Sequence, residues 1–266
     1  MDTLRPEVSR RIHGRDLCAD KQRALEHLQR FGVPTTLLMV LVGGVNEEDL
    51  GLILELCWKA DFVRSLTIQT MTYTGQGGGQ FLPRRHLSVE AAERLLAAAS
   101  GGRVRRSDFM PLPTAHPLCY GVAYYLTDEA GGAHSFLDLV ARDEAARWLA
   151  DGYLIHPTDE LEEAMRRGID RLWAEGGHPA SLGAVKRLLA AAFPAGERLD
   201  LHERQRRAER LVKTVYIHAH MDEDTFEVGR AMRCPDQVPV NAERLVGACS
   251  YNLRYRQQDP RFWVTP

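Results

Sequence analysis

The stretch Pro34-Thr35-Thr36-Leu37-Leu38-Met39-Val40-Leu41-Val42, followed at once by Gly43-Gly44-Val45-Asn46, decides the fold class. A nearly continuous apolar run of this length reads as a strand buried on both faces, as in a parallel sheet. Upstream, Arg15 to Phe31 puts Cys18, Leu25 and Leu28 on one helical face, and Gly32 follows as a C-terminal cap. Downstream, Asn46 stands where an N-cap belongs, and Glu47, Glu48 and Asp49 suit the positive end of a helix dipole. Leu50, Ile53, Leu54 and Cys57 then recur at helical spacing. Ser65 to Thr72 reads as the next strand, and Ser88 caps a helix through Ala99. Such alternation with short connections implies right-handed parallel crossovers in a barrel or doubly wound sheet. Ligands in these folds lie beyond the carboxyl ends of the strands, which selects Val42 to Asn46 and Thr72 to Gly79 as site loops.

From about residue 107 the pattern changes. Pro111, Pro113 and Pro117 punctuate a loop holding His116 and Cys119, and Gly121 to Leu126 is strand-like. Residues 137 to 213 are mainly amphipathic helix, broken near Gly176-Gly177 and Pro194. Val215 to His220 is strand-like and Thr225 to Met232 helix-like. The expected organisation is therefore an α/β part over 1–106, a linker loop and helical accessory region over 107–213, and a small α+β tail over 214–266.

Lys+Arg 34 against Asp+Glu 36 leaves a formal charge of -2, which gives no global pull toward nucleic acid or anionic membrane. The basic run Arg204 to Arg210 is interleaved with acids and reads as a solvated helix face. No stretch approaches the roughly 20 apolar residues of a membrane span, so a cytoplasmic protein without a transmembrane segment is expected. Five cysteines make an odd number, which argues for reduced thiols over a disulfide framework.

Cys18 and Cys57 fall on helix faces and read as packing thiols. Cys119, Cys234 and Cys249 instead sit in AHPLC, MRCPD and VGACS, without apolar periodicity. Thiolates are natural ligands for soft metals, so metal ligation and ordinary packing both stand open for these three. Their wide separation means that the fold must assemble any shared site. His218 and His220 alternate on a strand, so their rings point to one side. Met221-Asp222-Glu223-Asp224 follows, and a capping box running from Asp224 to Glu227 competes there with site chemistry. Gly75-Gln76-Gly77-Gly78-Gly79 reads as a loop over a strand end, because the next helix starts too late for a dinucleotide fingerprint.

Several stretches taken in order resemble the later part of a radical SAM protein. They are DTLRPE at Asp2–Glu7 with IHGR at Ile12–Arg15, then VGGVN at Val42–Asn46 and QTMTYTG from Gln69. The tail, HAHMDEDTFEVGRAMRCPD followed by ACSYNLRYR, is similar to an iron–sulfur subgroup of that superfamily that includes tetraether-lipid synthases. The resemblance covers residues 1–126 and 215–263. It implies an incomplete parallel (β/α) partial TIM barrel, a [4Fe-4S] cluster, S-adenosylmethionine, and an electron donor such as a ferredoxin or flavodoxin. By position, Gly43, Gly44, Asn46 and Gln69 belong to the cofactor-facing strand ends. Cys119, Cys234 and Cys249, with His116 in a fourth position, are the metal ligands that it implies for the tail. Pro113-Thr114-Ala115-His116 departs from the subgroup, where a Cys stands near Thr114.

No C-x3-C-x2-C run occurs in these 266 residues. The expectation is a C-terminal portion of such an enzyme, inactive alone, whose exposed barrel edge favours self-association. The alternative is a non-enzymatic metal-binding or interaction module. A zinc hydrolase using His218 and His220 lacks the H-E-x-x-H arrangement.

Overall fold

A computed structural model describes residues 1–74, 78–176 and 179–261. Gly75, Gln76 and Gly77 of the glycine-rich stretch lie outside the described residues.

Among the described residues, eight strands form two sheets. The larger sheet holds β1 (Thr35–Leu41), β2 (Val63–Thr70), β3 (Met110–Pro111), β4 (Tyr120–Thr127), β5 (Ala133–Ser135) and β6 (Val212–Ala219). Its spatial order is β1-β2-β6-β4-β3, with β5 on β4. Strands β1, β2 and β6 run parallel, while β4 is antiparallel to β6. The result is a mixed α/β architecture around an open sheet. Strand β6, drawn from across the boundary expected at 213/214, lies at the centre of this sheet. β7 (Gln237–Asn241) and β8 (Arg244–Gly247) form a separate hairpin.

The helices are α1 (Pro6–His13), α2 (Cys18–Arg30), α3 (Leu50–Lys59), α4 (Val89–Ala99), α5 (Arg142–Trp148), α6 (Asp159–Ala174), α7 (Pro179–Ala192), α8 (Leu201–Ala208), α9 (Val228–Met232) and α10 (Ala248–Arg254). Among the described residues, no helix is long and apolar enough to cross a membrane.

The two faces of the main sheet are clothed differently. On one face Met39, Leu41, Leu66, Ile68, Val215, Ile217 and Tyr125 pack against Ile53, Leu54, Cys57 and Trp58 of α3 and Ala92 and Leu96 of α4. Full burial of each such aliphatic side chain stabilises the fold by about 1.5–3 kcal/mol. On the other face Val122, Tyr124 and Leu126 of β4 pack under Leu161, Met165, Val185 and Leu188 of the helical region. That cover stops short of β1, where Leu38 is 46% exposed. The apolar run at 34–42 is thus a strand fully buried on one face only, because β1 is a sheet edge and, among the described residues, the cover of its second face leaves Leu38 exposed. Part of that edge is taken by the N-terminus: the Met1 amino group donates to the Leu38 carbonyl, and the Val40 N–H donates to Asp2 Oδ1 at 2.8 Å.

Local signals met mixed outcomes. Ser88 caps α4 as expected, its Oγ accepting the Ala91 N–H at 3.1 Å. Cys57 is fully buried, whereas Cys18 is half-exposed, since α2 lies at the surface with none of its residues buried. Asn46 stands at the N-cap position of the short 3-10 turn Glu47–Asp49 ahead of α3, but its side chain caps none of its N–H groups. Its side chain turns back into the loop after β1, where Oδ1 accepts the Val42 N–H at 2.8 Å and Nδ2 donates to the carbonyls of Asp2 (2.9 Å) and Val40 (2.8 Å). The fully buried Asn46 therefore ties the N-terminal segment to the end of β1. The expected capping box from Asp224 to Glu227 does not form. Asp222, not Asp224, accepts the Thr225 N–H at 3.2 Å, and the helix that follows shrinks to Val228–Met232 without a side-chain cap.

Each buried polar group left without a partner costs about 1–3 kcal/mol. Asn46→Ala strips the partner from three backbone groups and is expected to destabilise the chain by on the order of 3 kcal/mol. Ser88→Ala, which removes one exposed cap, costs about 1 kcal/mol. Urea-unfolding midpoints of the two variants should separate accordingly, and equal midpoints would contradict the bracing role of Asn46.

Candidate iron–sulfur site at the strand ends

Strand register builds one row of side chains across the second face. Val40 of β1 pairs with Gln69 of β2, Gln69 with His218 of β6, and His218 with Tyr120 of β4. This row closes the carboxyl end of the parallel strands. The Tyr120 ring stacks on His218 with centroids 3.9 Å apart, and His220 lies on the same side, its ring centroid 3.9 Å from that of His218. The alternation read from the sequence thus does bring the two imidazoles together.

Because β4 is antiparallel, its first residue stands at the same end. Cys119 immediately precedes Tyr120, and its carbonyl accepts the Ala219 N–H at 2.9 Å. Beyond β6 the chain turns through α9, whose Arg230 donates from Nε to Cys119 Sγ at 3.4 Å. Cys234 follows α9. It packs against Gly247, where a Cβ would come 2.9 Å from Cys234 Cβ, so only glycine admits this approach. Cys249, two residues further on, accepts the Met221 N–H on Sγ at 3.2 Å and lies 3.5 Å from His220 Nδ1. Burial pushes the Cys249 thiol up, and the charges of Cys234 and Cys119 add to that shift.

The three sulfurs do not close around a single ion. Among the described residues, the one triad of His, Cys, Asp and Glu ligand atoms within 4.8 Å of one another is His86, Asp222 and Asp224. The three thiols thus form no single-ion site, whereas a cluster with one iron per cysteine spaces its ligands more widely. In the same loop as Cys119, Thr114 Oγ1 is buried without a hydrogen-bond partner, leaving a donor that an inorganic sulfide could accept. His116 is half-buried and shapes its own turn. Its Nδ1 accepts the Leu118 N–H at 3.3 Å, and its carbonyl accepts the Cys119 N–H at 2.8 Å.

The strand-end glycines face inward onto a loop. A Cβ on Gly43 would stand 2.7 Å from the Arg85 carbonyl, so the 80s loop lies directly on Gly43-Gly44. That loop is clamped by Asp222, whose Oδ2 accepts from the Tyr73 N–H at 2.9 Å and from His86 Nε2 at 2.8 Å. Burial alone would push the Asp222 carboxyl up, but these donors and Thr225 hold it below the ordinary range. Arg84 neutralises Asp224 at 2.6 Å. The His86 triad is thus occupied in holding the loop down.

Sequence reasoning missed Tyr120, Tyr153, Arg230 and Asp236. Asp236 accepts hydrogen bonds from the phenols of Tyr120 and Tyr153, the latter at 3.0 Å. Proximity to Cys119 and Cys234 was the one signal for the first and last of these. Between the second face and the helical region lies a cavity of about 370 Å³, with Tyr124, Phe136, Met165, Phe193 and Tyr216 among its walls.

His218 is held neutral. Burial pushes its pKa down to about 2, and the neighbouring His220 and Arg230 push the same way. Asp236 lies 3.7 Å from its Nε2, yet that carboxylate already serves two phenols and does not restore the charge.

No known family profile matches the chain. It is 23% identical over 279 residues to 7,8-dihydro-6-hydroxymethylpterin dimethyltransferase of Methanocaldococcus jannaschii, an alignment covering 92% of this chain and 53% of that protein. The chain spans about half the length of this curated relative.

The depressed His218 pKa fixes a pH dependence. As pH falls below 6.5 the unfolded chain takes up a proton at this ring, while the folded chain does not until about pH 2. Stability should therefore fall through that window by up to about 1.4 kcal/mol per pH unit for this group. His218→Phe should flatten the dependence in urea titrations between pH 7 and 5, and an unchanged slope would show that His218 is not buried neutral.

Proposed function

We propose that this chain is the C-terminal part of a radical SAM iron–sulfur enzyme, with Cys119, Cys234 and Cys249 as ligands of a [4Fe-4S] cluster in its tail. The observation that carries this reading is the convergence of the Cys119, Cys234 and Cys249 segments on the carboxyl end of three parallel strands. The similarity to the dihydropterin dimethyltransferase supports it at the level of the superfamily, and makes methyl transfer the reaction class to try first.

In the whole enzyme a cluster held by a C-x3-C-x2-C loop would, with S-adenosylmethionine, supply the one-electron chemistry for hydrogen abstraction, and the tail's cluster would be a second one beside it. The chain's own part is to bind and orient. Its open sheet would be the last strands of a partial barrel, with Gln69, His218 and Tyr120 facing the lumen. Gly43 and Gly44 would admit the Arg85 loop against this strand end, while Asn46 keeps the turn after β1 in shape. His116 or His220 would complete the tail's ligand set, and His220 has the advantage of standing beside a ligand sulfur. The neutral His218, stacked on Tyr120, would present a polar but uncharged surface to substrate. These 266 residues contain no C-x3-C-x2-C, so the chain alone should bind iron without cleaving S-adenosylmethionine.

Anaerobic reconstitution of the chain with iron and sulfide tests the reading. Iron with labile sulfide in comparable amounts is expected, and replacing any one of Cys119, Cys234 or Cys249 with Ser should reduce both. Zinc bound without sulfide, or full iron loading in all three variants, would overturn it.

A further inference from the structure

Arg230 reaches the sulfur of Cys119 with an unusually well-fixed guanidinium. Nε donates to Sγ at 3.4 Å, while the terminal nitrogen donates to the Ala219 carbonyl at 2.9 Å and the Leu118 carbonyl at 3.4 Å. Leu118 directly precedes Cys119, and Ala219 is hydrogen-bonded to it, so the planar fork spans the cysteine from both sides. A lysine carries its three donors on a single nitrogen and lacks the planar fork that here places Nε on the sulfur and the terminal nitrogen on the two carbonyls. The half-buried guanidinium stands between the start of β4 and the end of β6, the strand ends that carry Cys119, His218 and His220. It is thus a fixed cation inside the cysteine and histidine cluster, and short α9 delivers it four residues before Cys234.

We propose that Arg230 is a positioning residue that sets the reduction potential of the iron–sulfur group, acting through its N–H bond to the Cys119 sulfur. The inference rests on the cluster reading above. One-electron reduction makes a cluster more negative, and a donor to a ligating sulfur together with a nearby positive charge favours that reduced form. Arg230 therefore raises the potential, so the tail's cluster accepts an electron more readily than one ligated by bare thiolates.

The test uses the full chain, reconstituted anaerobically with iron and sulfide and titrated with dithionite while its visible absorption is followed. Arg230→Gln should keep the iron and sulfide content and move the midpoint to a more negative value. A tenfold loss of electron affinity would read as about 59 mV for a one-electron couple. Arg230→Lys, which retains the charge, should shift it less. Arg233→Gln is the control, since Arg233 donates to the Ala115 carbonyl at 3.3 Å and to no described sulfur. Its midpoint should stay at the wild-type value. Identical midpoints in wild type and Arg230→Gln, or an equal shift in Arg233→Gln, would overturn the assignment and leave the cluster reading standing. If Arg230→Gln does not load, Arg230→Lys decides: a wild-type midpoint there overturns the role of the N–H bond. Failure of the wild-type chain itself to take up iron with sulfide would remove the cluster and this inference together.

Discussion

The ladder between β2 and β6 is the constraint on which the rest depends. It sets Ile68 against Ile217 and Gln69 against His218, so the buried face and the site row are fixed by one register. A slip of one residue would turn Ile217 outward and bury His218 among leucines. The cost of exposing Ile68, Ile217 and their neighbours therefore protects the placement of Gln69, His218 and Tyr120. Strand β4 extends the same register to Tyr120 and so fixes Cys119.

From this frame the tail needs few further contacts. Asp222 anchors the segment leaving β6 to the loop leaving β2, and Arg230 ties α9 to the start of β4. Gly247 lets the β7–β8 hairpin close on Cys234 before α10 brings Cys249 against His220. Polar groups carry most of these links, and nearly all are satisfied by one another. The buried hydroxyl of Thr114 is an exception within the loop that carries Cys119.

Much of the fold was legible because helix and strand periods are local. The amphipathic spacing of Leu50 to Cys57, the Ser88 cap and the alternation of His218 and His220 all survive in three dimensions. What failed was whatever depended on neighbours distant in sequence. The apolar run at 34–42 could not reveal that the cover of its second face leaves Leu38 exposed, since that is decided by where α5–α8 pack. Asn46 looked like a cap because its preferred role as a brace requires Asp2, which only the folded chain brings alongside. Asp222 displaced Asp224 for the same reason, its partners being Tyr73 and His86. At the site, the cysteine types and their polar settings were visible, whereas Arg230 was invisible because nothing in a helix of five residues marks one arginine as different from the next.

The two clothed and unclothed faces of the sheet differ in what they ask of the surroundings. Where α3 and α4 cover the strands, the interior is finished and any newcomer would have to displace packed hydrocarbon. On the opposite side α5–α8 clothe β4 and leave Leu38 of β1 exposed. The row that starts at Tyr120 and His218 therefore begins in shelter and ends, through Gln69 and Val40, beside the open edge at Leu38, so one line of side chains passes from a dry setting to a wet one.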